Sequence, residues 1–260
     1  MSRALGVANK GSPMPSGAVA AGWTPASPTT DGGVLPHTWH YANSGALYQD
    51  AAKTTPATAD GDPVGASVNQ GTDAHDIVQA VAGARPTLKL AIQNGQSVLR
   101  LDGGDHLKGA FTGGLTEPYT ILAMAQLSAG AVADGNWYYV VSDDNSNNMV
   151  LRKSGGNEWQ IFGSAGVSGN PSDGDWNAWL ALFNGAASQF WHNGISEGSG
   201  DAGAFNGSGI TFGARNNATF LWPGDISELI IYDSNLSTAD KNQLGAYLAT
   251  KFGTIWTPIV

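Results

Sequence analysis

Four glutamates, Glu117, Glu158, Glu197 and Glu228, are spread along the chain with no two near each other in sequence. Cleaving a glycosidic bond needs two carboxyl groups facing one sugar linkage, and this spacing puts no such pair on a single strand. Asp60/Asp62 and Asp173/Asp175 have the i, i+2 spacing that places side chains on one face of a strand. Each pair brackets a glycine in a turn context, so both are expected to cap loops. His37, His40, His75, His106 and His192 lack the zinc-hydrolase arrangement of two histidines one helical turn apart with a general base. Cysteine is absent, which removes thiolate zinc sites, thiol nucleophiles and disulfides. These observations point away from an enzyme.

Two patterns remain that could bind. Asp143, Asn145 and Asn147 alternate like the opening of an oxygen-ligand loop and are the candidate calcium ligands, although the twelfth position holds Ser154 instead of a bidentate glutamate. The competing reading of that run is a hairpin tip stabilised by side-chain to backbone hydrogen bonds. Asp102 and Asp105 form a second candidate of the same kind. No other cofactor is expected. Of the nine tryptophans, Trp137, Trp159, Trp191 and Trp222 lie near loop boundaries, where exposed indole faces could stack on sugars. Trp176, Trp179 and Phe183 sit in a run apolar on both faces and are expected in the core.

The elements that must position these residues are strands. Thirty-six glycines in 260 residues, with only 13% charged residues, describe many short strands joined by turns and give an all-β expectation. Thr120–Leu127, Trp137–Ser142, Met149–Lys153, Glu158–Phe162, Trp176–Phe183 and Gln189–His192 are β-prone runs separated by Gly, Asn, Asp or Ser clusters. Asn184-Gly185 and Asn193-Gly194 predict tight hairpin turns. One helix is expected near the C-terminus, opened by Ser237 with Asp240 three residues on and closed at Gly253. Leu244, Tyr247, Leu248 and Phe252 share its apolar face, which is expected to cover an edge of the sandwich.

Residues 1–36 are rich in Gly, Ala, Pro, Ser and Thr and carry no usable period, so they are expected to form an extended arm ordered by neighbouring chains. Residues 37–257 form the expected single domain. A formal charge of -9 disfavours nucleic acid. No run approaches the roughly 18 apolar residues of a membrane span, and Arg3 and Lys10 are followed by no apolar signal region. The expectation is a chain assembled in the host cytoplasm without ordinary secretion and without a membrane.

Three segments carry a family resemblance: YQDAAKTTPATADGDPVGA from Tyr48 to Ala66, ARPTLKLAIQNGQSVLRLDGGDHL from Ala84 to Leu107, and GDISELIIYDSNLSTADKNQLGAYLATKFG from Gly224 to Gly253. With ITFGAR at Ile210–Arg215, these resemble the concanavalin A-like, laminin G-like jelly rolls of bacterial surface proteins and bacteriophage structural proteins. Leu101 stands where the family has an aromatic residue. The acid often found soon after its first Trp is replaced by His40-Tyr41-Ala42-Asn43. The resemblance implies a two-sheet antiparallel sandwich. It also implies a non-enzymatic virion protein, a head decoration or a tail or fibre component, bound through its arm to a capsid or tail subunit. A homo-oligomer and contact with a host surface glycan belong to the same expectation. The alternatives are a calcium-dependent carbohydrate-binding or adhesion module of a bacterial surface protein, and a glycan hydrolase or lyase.

Overall fold

A computed structural model of the chain describes residues 23–27, 34–43, 45–146 and 148–260. In chain order the strands are β1 (Thr38–Tyr41), β2 (Leu47–Tyr48), β3 (Ala66–Val68), β4 (Asp76–Val78), β5 (Thr87–Gln93), β6 (Gln96–Asp102), β7 (Leu107–Leu115), β8 (Tyr119–Leu127) and β9 (Tyr138–Ser142). They continue with β10 (Val150–Lys153), β11 (Glu158–Phe162), β12 (Gly166–Pro171), β13 (Trp176–Phe183), β14 (Ser188–His192), β15 (Ile195–Gly200), β16 (Gly207–Phe212) and β17 (Pro223–Tyr232), and the helix α1 spans Thr238–Phe252. The first sheet runs β15-β14-β13-β8-β17-β6-β5 with β1 also on β17, and the second runs β12-β11-β10-β9-β16-β7-β4-β3-β2. The strands pair antiparallel, as in the central β8, β13 and β17. This is the expected all-β, two-sheet sandwich.

Side-chain alternation explains why the first sheet is apolar on both faces. Ile121, Ala123 and Ala125 of β8, Trp179, Ala181 and Phe183 of β13, and Leu229 and Ile231 of β17 face the second sheet and form the main core. The residues between them, Leu122, Met124, Ala178, Leu180, Leu182, Ile230 and Tyr232, pack with Leu244, Leu248 and Phe252 of α1. The helix therefore lies on the outer face of the central strands and does not cover an edge. Trp176 is on that outer side, stacked on Phe252 with centroids 6.4 Å apart.

The local signals act as their chemistry predicts at the helix. The Ser237 hydroxyl accepts from the Asp240 amide at 3.1 Å and donates to the Asp240 carboxylate at 2.8 Å. Gly253 ends the helix in the left-handed region, φ +66°. Asn193 (φ +51°) and Gly194 (φ +81°) make the two-residue turn between β14 and β15. The Asn184-Gly185 turn is longer than expected: Ser188 donates to the Gly185 carbonyl across a 3-10 turn over Gly185–Ala187. The ITFGAR segment leaves the sheet at Phe212.

Of the expected arm, Trp23 sits edge-on to Tyr247 of α1, centroids 5.9 Å apart. This short stretch therefore touches the chain's own helix. Residues 1–22 and 28–33 lie outside the described residues. Among the described residues no helix is long and apolar enough to cross a membrane.

Candidate functional site

The outer face of the second sheet carries a pocket of about 240 Å³ lined by Trp137, Tyr139, Arg152, Phe162, Arg215 and Phe220. Strand register builds it. Arg152 of β10 lies opposite Tyr139 of β9 and Gln160 of β11, so the three side chains share one face while the adjacent Leu151 and Ile161 enter the core. Tyr139 donates its amide to the Phe220 carbonyl at 3.0 Å, which ties the loop between β16 and β17 over the strands. That loop turns back on itself through the Ala218 amide to the Arg215 carbonyl, 2.8 Å, and the Arg215 amide to the Thr219 carbonyl, 2.9 Å. Ala218 and Phe220 both have positive φ, +56° and +52°, a conformation that costs energy for any side chain with a Cβ. It presents the Phe220 ring, 38% exposed, stacked on Tyr139 at 5.6 Å.

The pocket is cationic and aromatic at once. The Arg152 guanidinium carbon lies 4.3 Å from the Trp137 ring centroid, 4.5 Å from Phe162 and 5.3 Å from Tyr139. Arg215 lies 5.7 Å from Phe220. Arg152 donates to the Tyr139 hydroxyl at 2.6 Å and to the Gln160 side-chain oxygen at 2.8 Å. Burial pushes this guanidinium below its ordinary value, and the neighbouring positive charge of Arg215 adds to the push. The surface continues past Trp137 and Phe220 to Asp102 and Pro223, then to Arg100 and Asp225, which form a two-pronged ion pair at 2.8 and 2.7 Å. Asp105, at the far end, accepts from the Asp102 amide at 3.1 Å. Its carboxyl is pushed up to about 6 by burial.

Of the four tryptophans expected to be exposed, only Trp137 lines this surface. Trp159 and Trp222 are buried in the main core, Trp159 against Trp179 at 4.4 Å and Trp222 at 6.2 Å. Trp191 is buried on the helix side of the first sheet, beneath Lys241. The expectation of exposed rings is corrected for these three: strand parity turns Trp159 and Trp191 into packed faces, and Trp222, just ahead of β17, is drawn in with its amide bonded to the Gly213 carbonyl at 2.8 Å, neither of which closeness to a loop reveals.

Asp143 is buried, and its carboxylate accepts from the amides of Asn145 (3.0 Å), Ser146 (2.8 Å) and Ser208 (2.7 Å) and from the Ser208 hydroxyl (3.1 Å). These donors use the lone pairs a calcium ion would need, so the donor set fits turn capping and not a cation. Asn145 is exposed, and Asn147 lies outside the described residues. Among the described residues no group of three or more acidic or histidine side chains could hold a metal.

The fold also gathers groups that lie far apart in sequence. His37, His40 and His75 approach one another, with His75 bonded to Asp73 at 2.8 Å and His40 edge-on to His75 at 5.5 Å. His40 contacts the Ser67 hydroxyl at 3.0 Å. Both members of that Ser-His pair are buried, so no substrate reaches them. Three of the four glutamates serve the scaffold. Glu117 accepts from the Gly185 and Phe205 amides, Glu197 accepts from the Asn170 amide, and Glu228 accepts from Trp39, Tyr247 and Lys251.

The chain matches no family model and no curated protein. Its fold recurs in solved structures. The receptor binding domain of botulinum neurotoxin C/D mosaic serotype is 12% identical, with 81% of this chain and 50% of that chain covered at a TM-score of 0.56. The botulinum neurotoxin serotype D binding domain is 14% identical, with 80% and 52% covered at a TM-score of 0.54. The chain spans about half the length of these structures, and at such identities the likeness is one of fold: a two-sheet antiparallel β-sandwich of jelly-roll type.

Proposed function

We propose that this chain is a non-enzymatic display module, a jelly roll carried on a larger particle such as a bacteriophage virion, whose aromatic surface pocket contacts a host surface glycan. The observation that supports it most is the pocket itself, where indole and phenyl faces stand beside guanidinium donors on an outer sheet face. Sugar rings offer apolar C–H faces and hydroxyl acceptors to such a combination. The engagement of Glu117, Glu197 and Glu228 within the scaffold favours binding over hydrolysis. The structures sharing the fold are named as receptor-binding domains, which is compatible with a binding role. The virion setting rests on the sequence resemblance, with the arm and a homo-oligomeric arrangement as the means of attachment.

Retention of the full chain on immobilised bacterial polysaccharides tests the reading. Binding that falls about tenfold or more in Trp137→Ala, with no release of reducing ends, is the expected result. If no polysaccharide is retained, or binding is indifferent to Trp137, the glycan contact is wrong. Omission of residues 1–36 should abolish incorporation into particles, and unchanged incorporation would remove the virion setting. One observation favours hydrolysis as a second reading, the Asp105 carboxyl beside Asp102, whose pKa burial raises to about 6. Reducing-end release that disappears in Asp105→Asn would establish it.

A further inference from the structure

We infer that the pocket between Arg152 and Arg215 is an oxyanion site, and that the saccharide it takes is an acidic one bearing a carboxylate or a sulfate. The inference deepens the proposed glycan contact and rests on it.

The charge accounting among the described residues carries the argument. Their Lys and Arg ion pairs with carboxylates are those of Lys53, Lys89, Arg100, Lys153 and Lys251. Arg85, Lys108, Arg152, Arg215 and Lys241 belong to none of them, and of these five only Arg152 and Arg215 line one pocket together. Their lack of an acid matters on two counts. The protein as a whole is acidic, at -9, so carboxylates are abundant. Arg152 is also only 5% exposed, and buried charges are ordinarily paired. Its hydrogen-bond partners, the Tyr139 hydroxyl and the Gln160 amide oxygen, are both neutral.

Guanidinium donors remain over. Arg152 has five N–H groups, and the hydrogen bonds to Tyr139 and Gln160 use three of them. Arg215 has its Nε buried with no hydrogen-bond partner. A third cation is close by, because Lys108 donates to the carbonyl of Asn216, the residue after Arg215, at 3.3 Å. Two guanidinium groups beside one small pocket repel each other until an anion lies between them. A carboxylate or sulfate matches their planar forks through parallel charge-assisted hydrogen bonds.

The aromatic walls define what carries the anion. Trp137 and Phe162, both half-buried, and the exposed Phe220 line the pocket, and their rings offer apolar surface suited to a pyranose ring and wasted on a free inorganic ion. The pocket volume of about 240 Å³ holds one sugar residue and not a chain of them, so the acidic residue would be a terminal or branch unit.

The test is calorimetric titration of the full chain with methyl glucuronide, N-acetylneuraminic acid methyl glycoside and galactose 6-sulfate, against methyl glucoside, galactose and sodium sulfate. The expected result is affinity at least about tenfold higher for an acidic sugar than for its neutral counterpart, weakening as salt rises. Arg215→Gln, at a half-exposed position outside the strands, should bring the acidic probe down to the neutral level, and its unfolding profile shows whether the fold is kept. The carboxylate and sulfate arms show which oxyanion is preferred, and preference for either supports the inference. Equal affinity for acidic and neutral sugars overturns it while leaving the glycan contact intact. Sodium sulfate binding as tightly as the sulfated sugar also overturns it, because the ring then contributes nothing. If no saccharide binds at all, the inference and the glycan contact fail together.

Discussion

Two cages of aromatic rings, one on the outer face of each sheet, hold a cation in opposite ways. Under α1, the Lys251 ammonium lies 4.8 Å from the Tyr41 ring centroid and 5.2 Å from Tyr247, and Glu228 closes the cage at 2.7 Å. Glu228 is fully buried and also accepts from the Trp39 indole at 2.7 Å and the Tyr247 hydroxyl at 3.1 Å. One acid therefore joins β1, β17 and α1. On the second sheet, Arg152 is held over Trp137 and Phe162 at similar distances, yet its partners are neutral. The side-chain physics is shared, and the source of the counter-charge differs. A cation neutralised by its own chain contributes to the fold, whereas one left without an acid keeps a capacity to bind.

Breaking the closed cage should have the largest effect. Glu228→Ala strands the Lys251 charge, the Trp39 indole and the Tyr247 hydroxyl, and removing one partner of a buried pair costs about 3–5 kcal/mol. Urea unfolding measures this. A loss below about 1 kcal/mol would mean that the acid does not join the helix to the sheet. Glu228→Gln retains an acceptor for Trp39 and should cost less.

Acid attacks the same side through β1, which carries Trp39 towards the closed cage and His40 between the sheets. Burial holds His40 well below its usual value, with His75 adding to the effect, and burial likewise lowers His75 and His37. A histidine lowered on folding binds fewer protons in the folded state than in the unfolded state. Its cost is absent above the ordinary value of 6.5 and grows as pH falls below it. Asp105 works the other way, since its raised value favours the folded state as pH falls from about 6 towards 3.8. Burial lowers His106 as well, so with four histidines against one raised carboxyl, unfolding midpoints should drop as pH is lowered from 7 to 5. His40→Gln should flatten that drop, and an unchanged pH profile in this variant would show that His40 does not control it.

At the open cage the stability cost should be smaller. Arg152→Met gives up hydrogen bonds to Tyr139 and Gln160 but relieves the desolvation of an unpaired charge and its repulsion by Arg215, so the net change is about 1 kcal/mol or less. Thermal unfolding decides the matter. A loss as large as that of Glu228→Ala would make Arg152 a structural keystone, and the contrast between the cages would disappear.

The sequence reveals the strands better than the site, for physical reasons. Glu158–Phe162 and Trp176–Phe183 are strands to the residue, because apolar runs bounded by turn residues are local signals. The helix ends follow from Ser237 and Gly253 for the same reason. Its placement is non-local: a run apolar on both faces, such as WNAWLALF, says that both faces are covered and not by what. The pocket is harder still, since its six side chains come from separate segments between Trp137 and Phe220 and meet only through strand register. One signal was available. Arg152 follows Leu151 at the end of the run MVLR, and the alternation of an antiparallel strand turns its side chain away from the core face that Leu151 occupies. Loop proximity fixes neither the parity of strand residues such as Trp159 and Trp191 nor the inward turn of Trp222 ahead of β17.

The smallest stability effect should come from Phe220→Gly, and at this position the difference between two substitutions matters more than either alone. Its ring is partly exposed and stacked on Tyr139, with planes 15° apart, a contact worth about 0.5–1.5 kcal/mol. Its backbone sits at φ +52°, which costs a residue with a Cβ about 1–2 kcal/mol relative to glycine. Phe220→Ala loses the stack and keeps the strain, so it should destabilise by about 1 kcal/mol. Phe220→Gly loses the stack and relieves the strain, so it should lie close to the unaltered protein in urea unfolding. Both should weaken saccharide retention, because the ring that walls the pocket is gone. If the glycine variant is the less stable of the two, the left-handed conformation is not strained. The loop would then not be holding Phe220 out at a cost to the fold, and the open cage would differ from the closed one only in its missing acid.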